Sequence, residues 1–238
     1  MRAQVVAPLV AAVLGIGFGI ATALVVQDDA DPDPPAGAAD PLRLGIPLVN
    51  QDCSEESLLV VGYGNTTAPL SSAVANAGKD GLRYLRSADS CDTILGPEAQ
   101  PTPDYVVYRG PFDSRREPCE LRMSGQDPNS FVARLREGND VLVKCPCEIP
   151  SSQAPHLFLD MAPDASERLW IRGLQNMFHD DDPQGFPRAA ITGDYDQPTA
   201  DRVTSFQDRA PGKVTARGEV DPTTWGILAS RLCRQYDY

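Results

Sequence analysis

Gly193-Asp194-Tyr195-Asp196-Gln197-Pro198-Thr199 is echoed further along the chain by Gly218-Glu219-Val220-Asp221-Pro222-Thr223-Thr224. Both stretches read glycine, acid, a third residue, aspartate, two spacers and threonine, and each opens an apolar-periodic run. Internal self-similarity of this kind takes priority in reading a chain. The glycine permits a tight turn, and the aspartate is placed to accept from the free N–H groups at a helix start. Pro222 falls at the first helical position, where its missing N–H costs nothing, and Pro198 falls one position further in.

A third helix is expected upstream. Asp164 is the predicted N-cap, with Glu167 completing a capping box. Ile171, Leu174 and Phe178 recur at helical spacing, and Trp170 and Met177 widen the stripe. Val203 and Phe206 mark the next helix; Trp225, Leu228 and Leu232 mark the last. Three short amphipathic helices can bury their stripes against one another, which predicts a three-helix unit over residues 163–238.

The order Ile171-x-x-Leu174-Gln175, Thr192-Gly193-Asp194-Tyr195-Asp196-x-x-Thr199, Val203-x-x-Phe206-Gln207 and Gly218-x-Val220-Asp221-x-x-Thr224-Trp225 resembles the bacterial peptidoglycan-binding domain of the first type. The resemblance covers about the last 70 residues. It departs from the family in residues 180–190, a loop longer and more acidic than usual. The resemblance implies a three-helix fold and adhesion to cell-wall peptide or glycan in a shallow groove between helices. The polar residues taken as exposed candidates for that contact are Asp194, Tyr195, Thr199, Arg202 and Gln207. Arg202 has a planar fork suited to a stem-peptide carboxylate; the competing reading is a solvated surface arginine. Most other motif positions are turn glycines, capping aspartates and core aromatics, which build the fold.

Residues 5–26 carry no charge, and about 22 helical residues at about 1.5 Å each span a hydrocarbon core. Arg2 precedes the stretch, while Asp28, Asp29, Asp31 and Asp33 follow it, so the body should lie outside the cytoplasm. A cleaved signal peptide is the rival, with Ala21-Thr22-Ala23 as its cleavage site. The apolar stretch exceeds the usual signal-peptide core, which favours a single-pass anchor with residues 1–4 on the cytoplasmic side. Residues 27–50 then read as a linker, because 27–40 is too rich in Asp, Pro, Ala and Gly to bury anything. A formal net charge of −12 argues against a nucleic-acid partner, which would need a basic face.

Six cysteines, Cys53, Cys91, Cys119, Cys145, Cys147 and Cys233, all follow the apolar segment. In an exported chain, disulfides are the first expectation. Cys145 and Cys147, separated by one proline, should each reach a different partner. Cys233 must reach back to the middle region or remain free. A zinc site is the weaker competitor, because no CxxC pair occurs and His156 and His179 lack ligand spacing.

Within residues 51–150 the pattern predicts strand (58–61), helix (70–77), strand (82–85), strand (105–108), helix and strand (141–144), with Asp113 capping the second helix. That order is a split βαβ arrangement, ferredoxin-like in the broad sense, and the expected fold class is α+β. Tyr105-Val106-Val107-Tyr108-Arg109-Gly110-Pro111-Phe112, followed by a helix, resembles the signature of the sporulation-related repeat, whose members bind glycan strands. Residues 151–162 read as a second linker.

Catalytic chemistry finds little foothold. There is no HExxH pattern, the lysines Lys79, Lys144 and Lys213 sit in no SxxK, and no two carboxylates are marked as an acid–base pair. Asp180, Asp181 and Asp182 begin like a calcium loop, but Ile191 stands where the closing glutamate is needed. Asn65-Thr66-Thr67 is a formal sequon that reads as a turn. The sequence thus predicts a non-catalytic, membrane-anchored, peptidoglycan-binding protein without a cofactor. A protein–protein adaptor of the envelope and an accessory module of a hydrolase are the alternatives.

Overall fold

A computed structural model describes residues 40–91, 94, 102–137, 142–210 and 216–233. The predicted anchor at 5–26 and most of the predicted linker lie outside the described residues. Among the described residues no helix is long and apolar enough to cross a membrane.

The chain is α+β, with a four-stranded antiparallel sheet and six α-helices among the described residues. Strand β1 (Ser57–Gly64), helix α1 (Thr67–Ala77), β2 (Leu82–Arg86), β3 (Tyr105–Phe112), α2 (Arg116–Met123) and β4 (Phe131–Arg134) follow in that order, and the sheet runs β2-β3-β1-β4. Side chains alternate across a strand, so Leu58 and Val60 join a core with Val106, Tyr108, Ala133 and Cys91. Leu59 and Val132 face the helices instead. The sheet is therefore covered on both sides, which is why β1 reads as a continuous apolar run.

Three expectations need correction here. The last strand is Phe131–Arg134 rather than 141–144; Leu142 makes only an isolated bridge to Ala133, and the Val143 N–H donates to Val132 O at 2.9 Å. The seven residues between α2 and β4 suffice to return the chain to β1, so the earlier apolar run takes the ladder and the later one covers its outer edge. Asp113 caps nothing: Arg115 is the N-cap of α2 and makes no side-chain capping bond, while the Glu117 N–H reaches Ser114 Oγ at 3.5 Å.

The predicted linkers are the third correction. Residues 40–50 pack on the sheet, with Leu44 and Ile46 buried beside Leu70, Val74 and Tyr84. Tyr84 N donates to Pro47 O (3.0 Å) and Val49 N to Tyr84 O (2.8 Å), which pairs the free edge of β2. Leu42, Leu44, Ile46 and Leu48 alternate at period two, so the signal was present beneath the polar composition. Residues 151–162 are equally engaged: Leu157 is fully buried and exchanges backbone hydrogen bonds with Val220 at 3.0 and 2.9 Å.

After a short helix α3 (Cys145–Glu148) come α4 (Ala165–Asp181), α5 (Gln197–Arg209) and α6 (Pro222–Leu232). The Asp164–Glu167 capping box is present, at 2.8 and 2.9 Å. Every stripe residue expected in these helices is buried, and Trp170 meets Trp225 edge to face at 5.1 Å. Their core is not private, however. Leu59, Cys119, Met123, Val132, Cys145 and Ile149 belong to the same cluster. A Cβ on Gly173 would come within 2.4 Å of Pro146 Cγ, so α4 and the Cys-Pro-Cys turn pack at backbone distance.

The six cysteines form three disulfides: Cys53–Cys91, Cys119–Cys145 and Cys147–Cys233. Cys145 and Cys147 do reach different partners, and Cys233 does reach across to the middle region.

Candidate functional site

The doubled motif folds into two equivalent turns, each read by a glutamine of the preceding helix. Gln175 of α4 is fully buried. Its Oε1 accepts from the Gly193 N–H at 2.9 Å, and its Nε2 donates to Asp194 O at 3.0 Å and Thr199 Oγ1 at 2.9 Å. Gln207 of α5 repeats the arrangement: Oε1 accepts from the Gly218 N–H at 2.9 Å, and Nε2 donates to Glu219 O at 2.9 Å and Ala216 O at 3.1 Å. A buried amide is tolerated only when its donors and acceptor are all met. Gln207 meets that requirement with backbone of the turn that follows, and Gln175 with turn backbone together with the Thr199 hydroxyl.

Gly193 and Gly218 lie at φ +84 and +74, conformations in which a Cβ is strained. Asp196 then caps α5 by accepting from Thr199 N at 3.1 Å, and Asp221 caps α6 by accepting from Thr224 N at 2.7 Å. The copies differ at one position with consequence. Tyr195, aligned with Val220, sends its hydroxyl to Gly218 O at 2.8 Å and so ties the first turn to the second. Burial, and after it the charge of Glu219, pushes that phenol well above its ordinary pKa.

This geometry revises the list of exposed candidates. Tyr195, Thr199 and Gln207 are buried, not exposed, because each spends its polar atoms inside the bundle. Arg202 is neither solvated nor open to a ligand: its guanidinium donates to Asp181 Oδ2 at 3.2 Å and Asp182 Oδ2 at 3.1 Å and lies 5.7 Å above the Phe178 ring. The acids that hold this arginine lie at the end of α4, which runs through Asp181 with Asp182 as its C-cap, so the segment expected as a loop from 180 is helical at its start. Gly185 N–H, and then Arg202, keep the Asp182 carboxyl below the usual carboxylate range. Asp194 alone of the five is exposed, and it pairs with Arg168 across the turn.

The outer surface has a concavity beside the helices. A cleft of about 350 Å³ opens between α2, α4 and residues 151–153, floored by Met123, Ile149 and Trp170 and rimmed by Glu120, Ser124, Gln153 and Ser166. Ser166 Oγ is already committed to Met123 O at 2.5 Å. Among the described residues no three His, Cys, Asp or Glu side chains are placed to hold a metal ion. All six cysteines are bonded in pairs, so none offers a thiolate. His179 donates through Nδ1 to Phe186 O at 2.9 Å, and His156 faces Glu219 at 2.8 Å.

No protein-family model, no curated protein and no solved structure matches the chain.

Proposed function

We propose that this is a non-catalytic protein of the bacterial envelope, held to the membrane by residues 5–26 and adhering to cell-wall peptidoglycan through its C-terminal helices. The observation that carries the reading is the pair of glutamine-read turns. Gln175, Gly193, Asp196 and Thr199, and again Gln207, Gly218, Asp221 and Thr224, are the residues on which the resemblance to the type-1 peptidoglycan-binding domain rests. They interact with one another as a fold-specifying set. Three disulfides suit an oxidising, extracytoplasmic compartment. The βαββαβ order of the sheet, with β3 ending in Gly110-Pro111-Phe112 before α2, is in keeping with a ferredoxin-like, sporulation-repeat-like glycan-binding half.

The shared core and the Cys147–Cys233 bond mean that the helices should be tested together with the sheet. Oxidised protein comprising residues 37–238 is mixed with purified insoluble sacculi and centrifuged. Adhesion puts the protein in the pellet only when sacculi are present; equal sedimentation with and without them sinks the proposal. Release of soluble muropeptides in the same tubes would instead favour a hydrolase.

A further inference from the structure

The cleft of about 350 Å³ between α2 and α4 has walls fixed by direct contacts. A Cβ on Gly125 would lie 2.6 Å from Ser166 N, and Ser166 Oγ donates to Met123 O at 2.5 Å, so the end of α2 presses on the start of α4. The third wall, residues 149–153, follows the Cys-Pro-Cys turn and rests on α6, where a Cβ on Gly226 would stand 3.6 Å from Ser151 Oγ. Ser166 and Trp170 lie one helical turn apart on α4 and share the face that lines the cleft. The volume is near the lower bound of small-ligand pockets, about 300–1,000 Å³, which suits one small polar molecule or one unit of a polymer.

The polar atoms of the cleft divide unevenly between acceptors and donors. Ser166 Oγ gives its proton to Met123 O, and Ser124 Oγ gives its proton to Leu121 O at 2.7 Å, so each hydroxyl offers the cleft only lone pairs. Glu120 adds a carboxylate, held by Arg116 at 2.7 Å in an exposed pair that leaves acceptor capacity over. The fixed donor is Trp170. Its side chain is 4% exposed and packs edge to face on Trp225. Its indole N–H makes no hydrogen bond among the described residues, yet it is not buried out of reach. The N–H therefore opens to the cleft that Trp170 lines. An indole set this deeply ordinarily has a partner for its N–H; Trp225 Nε1 has one, donating to Pro155 O at 3.3 Å. Gln153, exposed on the rim, adds an adaptable amide that is donor and acceptor at once.

We propose that this cleft holds an N-acetylated amino sugar, one unit of a glycan strand, with the Trp170 N–H donating to the acetamide carbonyl. Ring hydroxyls donate to Ser124, Ser166 and Glu120, the Gln153 amide closes over the ring, and the acetamide methyl meets the apolar floor of Met123 and Ile149. A peptide carboxylate fits poorly. It brings only acceptors to an acceptor-rich rim, and the one charged residue of the lining, Glu120, is itself an acid. An ammonium group would meet the acceptors and leave the Trp170 N–H unpaired. Assigning the sugar to the wall rests on the wall-binding reading; the cleft adds the choice of glycan over stem peptide.

The test uses the compact unit Gly37–Tyr238 with its disulfides oxidised, and a soluble oligomer of N-acetylglucosamine as the probe. The chain has two tryptophans, and loss of one indole N–H signal in the nitrogen-correlated NMR spectrum of Trp170→Phe assigns both. The oligomer should shift the Trp170 N–H and leave that of Trp225, already bonded, near its free position. A cello-oligosaccharide, the same ring without the acetamide, should bind about tenfold more weakly, the size of one hydrogen bond, and Trp170→Phe should lose the same factor. Because Trp170 belongs to the core, Gln153→Ala is the second variant; it is an exposed change that should keep the melting temperature and weaken binding about threefold or more. Equal affinity for the two oligomers overturns the acetamide assignment. So does oligomer binding that leaves the Trp170 N–H unmoved, a soluble stem peptide that shifts it instead, or wild-type affinity in both variants at unchanged melting temperature. Retention on sacculi with a Trp170 signal indifferent to the oligomer removes the sugar site and leaves wall adhesion standing. A shifted Trp170 signal in protein that does not sediment with sacculi removes wall adhesion and leaves the sugar site.

Discussion

Replacing Gln175 by leucine tests the physical core of the fold. The side chain is fully buried, and leucine fills similar space without its polar atoms. Three bonds of 2.9–3.0 Å are lost. Thr199 Oγ1 keeps Asp196 Oδ1 at 2.6 Å, and Asp194 O keeps a long contact from Thr192 Oγ1 at 3.4 Å. The Gly193 N–H keeps nothing. An orphaned buried donor costs about 1–3 kcal/mol, and each partly compensated bond about 0.5–1.5 kcal/mol. Burial of the leucine offsets about 1.5–3 kcal/mol. The net loss is about 1–3 kcal/mol, and each kcal/mol lowers the melting temperature by about 2–4 °C in a chain of this size. Urea unfolding followed by far-UV circular dichroism measures the free energy, and amide exchange reports directly on Gly193. Gln207→Leu should behave alike at Gly218. Because Tyr195 joins the two turns, the double variant should depart from additivity. A Gln175→Leu protein as stable as wild type, with the Gly193 amide still protected, refutes the reasoning.

The remaining expectations concern staples, caps and pH. Removing the Cys147–Cys233 bond as a double serine variant releases a closure spanning 86 residues and should destabilise by up to about 4–5 kcal/mol on the chain-entropy account; less than about 1 kcal/mol in urea would contradict it. Asp196→Ala and Asp221→Ala each remove a side-chain cap and should cost about 1 kcal/mol apiece, with Asn at either site restoring most of it. Burial raises the phenols of Tyr84 and Tyr108 to about 12, against about 10 in an unfolded chain. A raised folded pKa contributes stability that is full below the unfolded value and is lost as pH climbs through the folded one. Urea midpoints should therefore hold up to about pH 10 and fall steadily toward 12. A flat profile across that window would show that these phenols are not held as described.

The helical half was legible because its signals are local. Asp164, Asp196 and Asp221 cap the helices that follow them, and the apolar stripes point inward where the 3.6 period places them. The errors came from long-range decisions. Two apolar runs competed for one place beside β1, and chain length after α2 gave it to Phe131–Arg134. The alternation from Leu42 to Leu48 was masked by neighbouring proline and aspartate and became visible only against the open edge of β2.

The candidate contact residues went astray for a different reason. Tyr195, Thr199 and Gln207 are polar types that are exposed by default. Yet Gln175 and Gln207 each follow a buried apolar residue, Leu174 and Phe206, and each precedes a Gly-acid-x-Asp-x-x-Thr turn. That conjunction, repeated twice, was the available sign that the amides look inward. No comparable sign in the sequence linked Arg202 to Asp181 and Asp182, the last residue and the C-cap of the preceding helix α4.

Adhesion to the wall is tested most directly by competition. Oxidised protein of residues 37–238 is bound to sacculi, and soluble muropeptides released from the same sacculi by a glycan hydrolase are titrated in. The account predicts retention on intact sacculi and progressive release as the fragments accumulate. Protein that never enters the pellet, or that stays there whatever the fragment concentration, would contradict it.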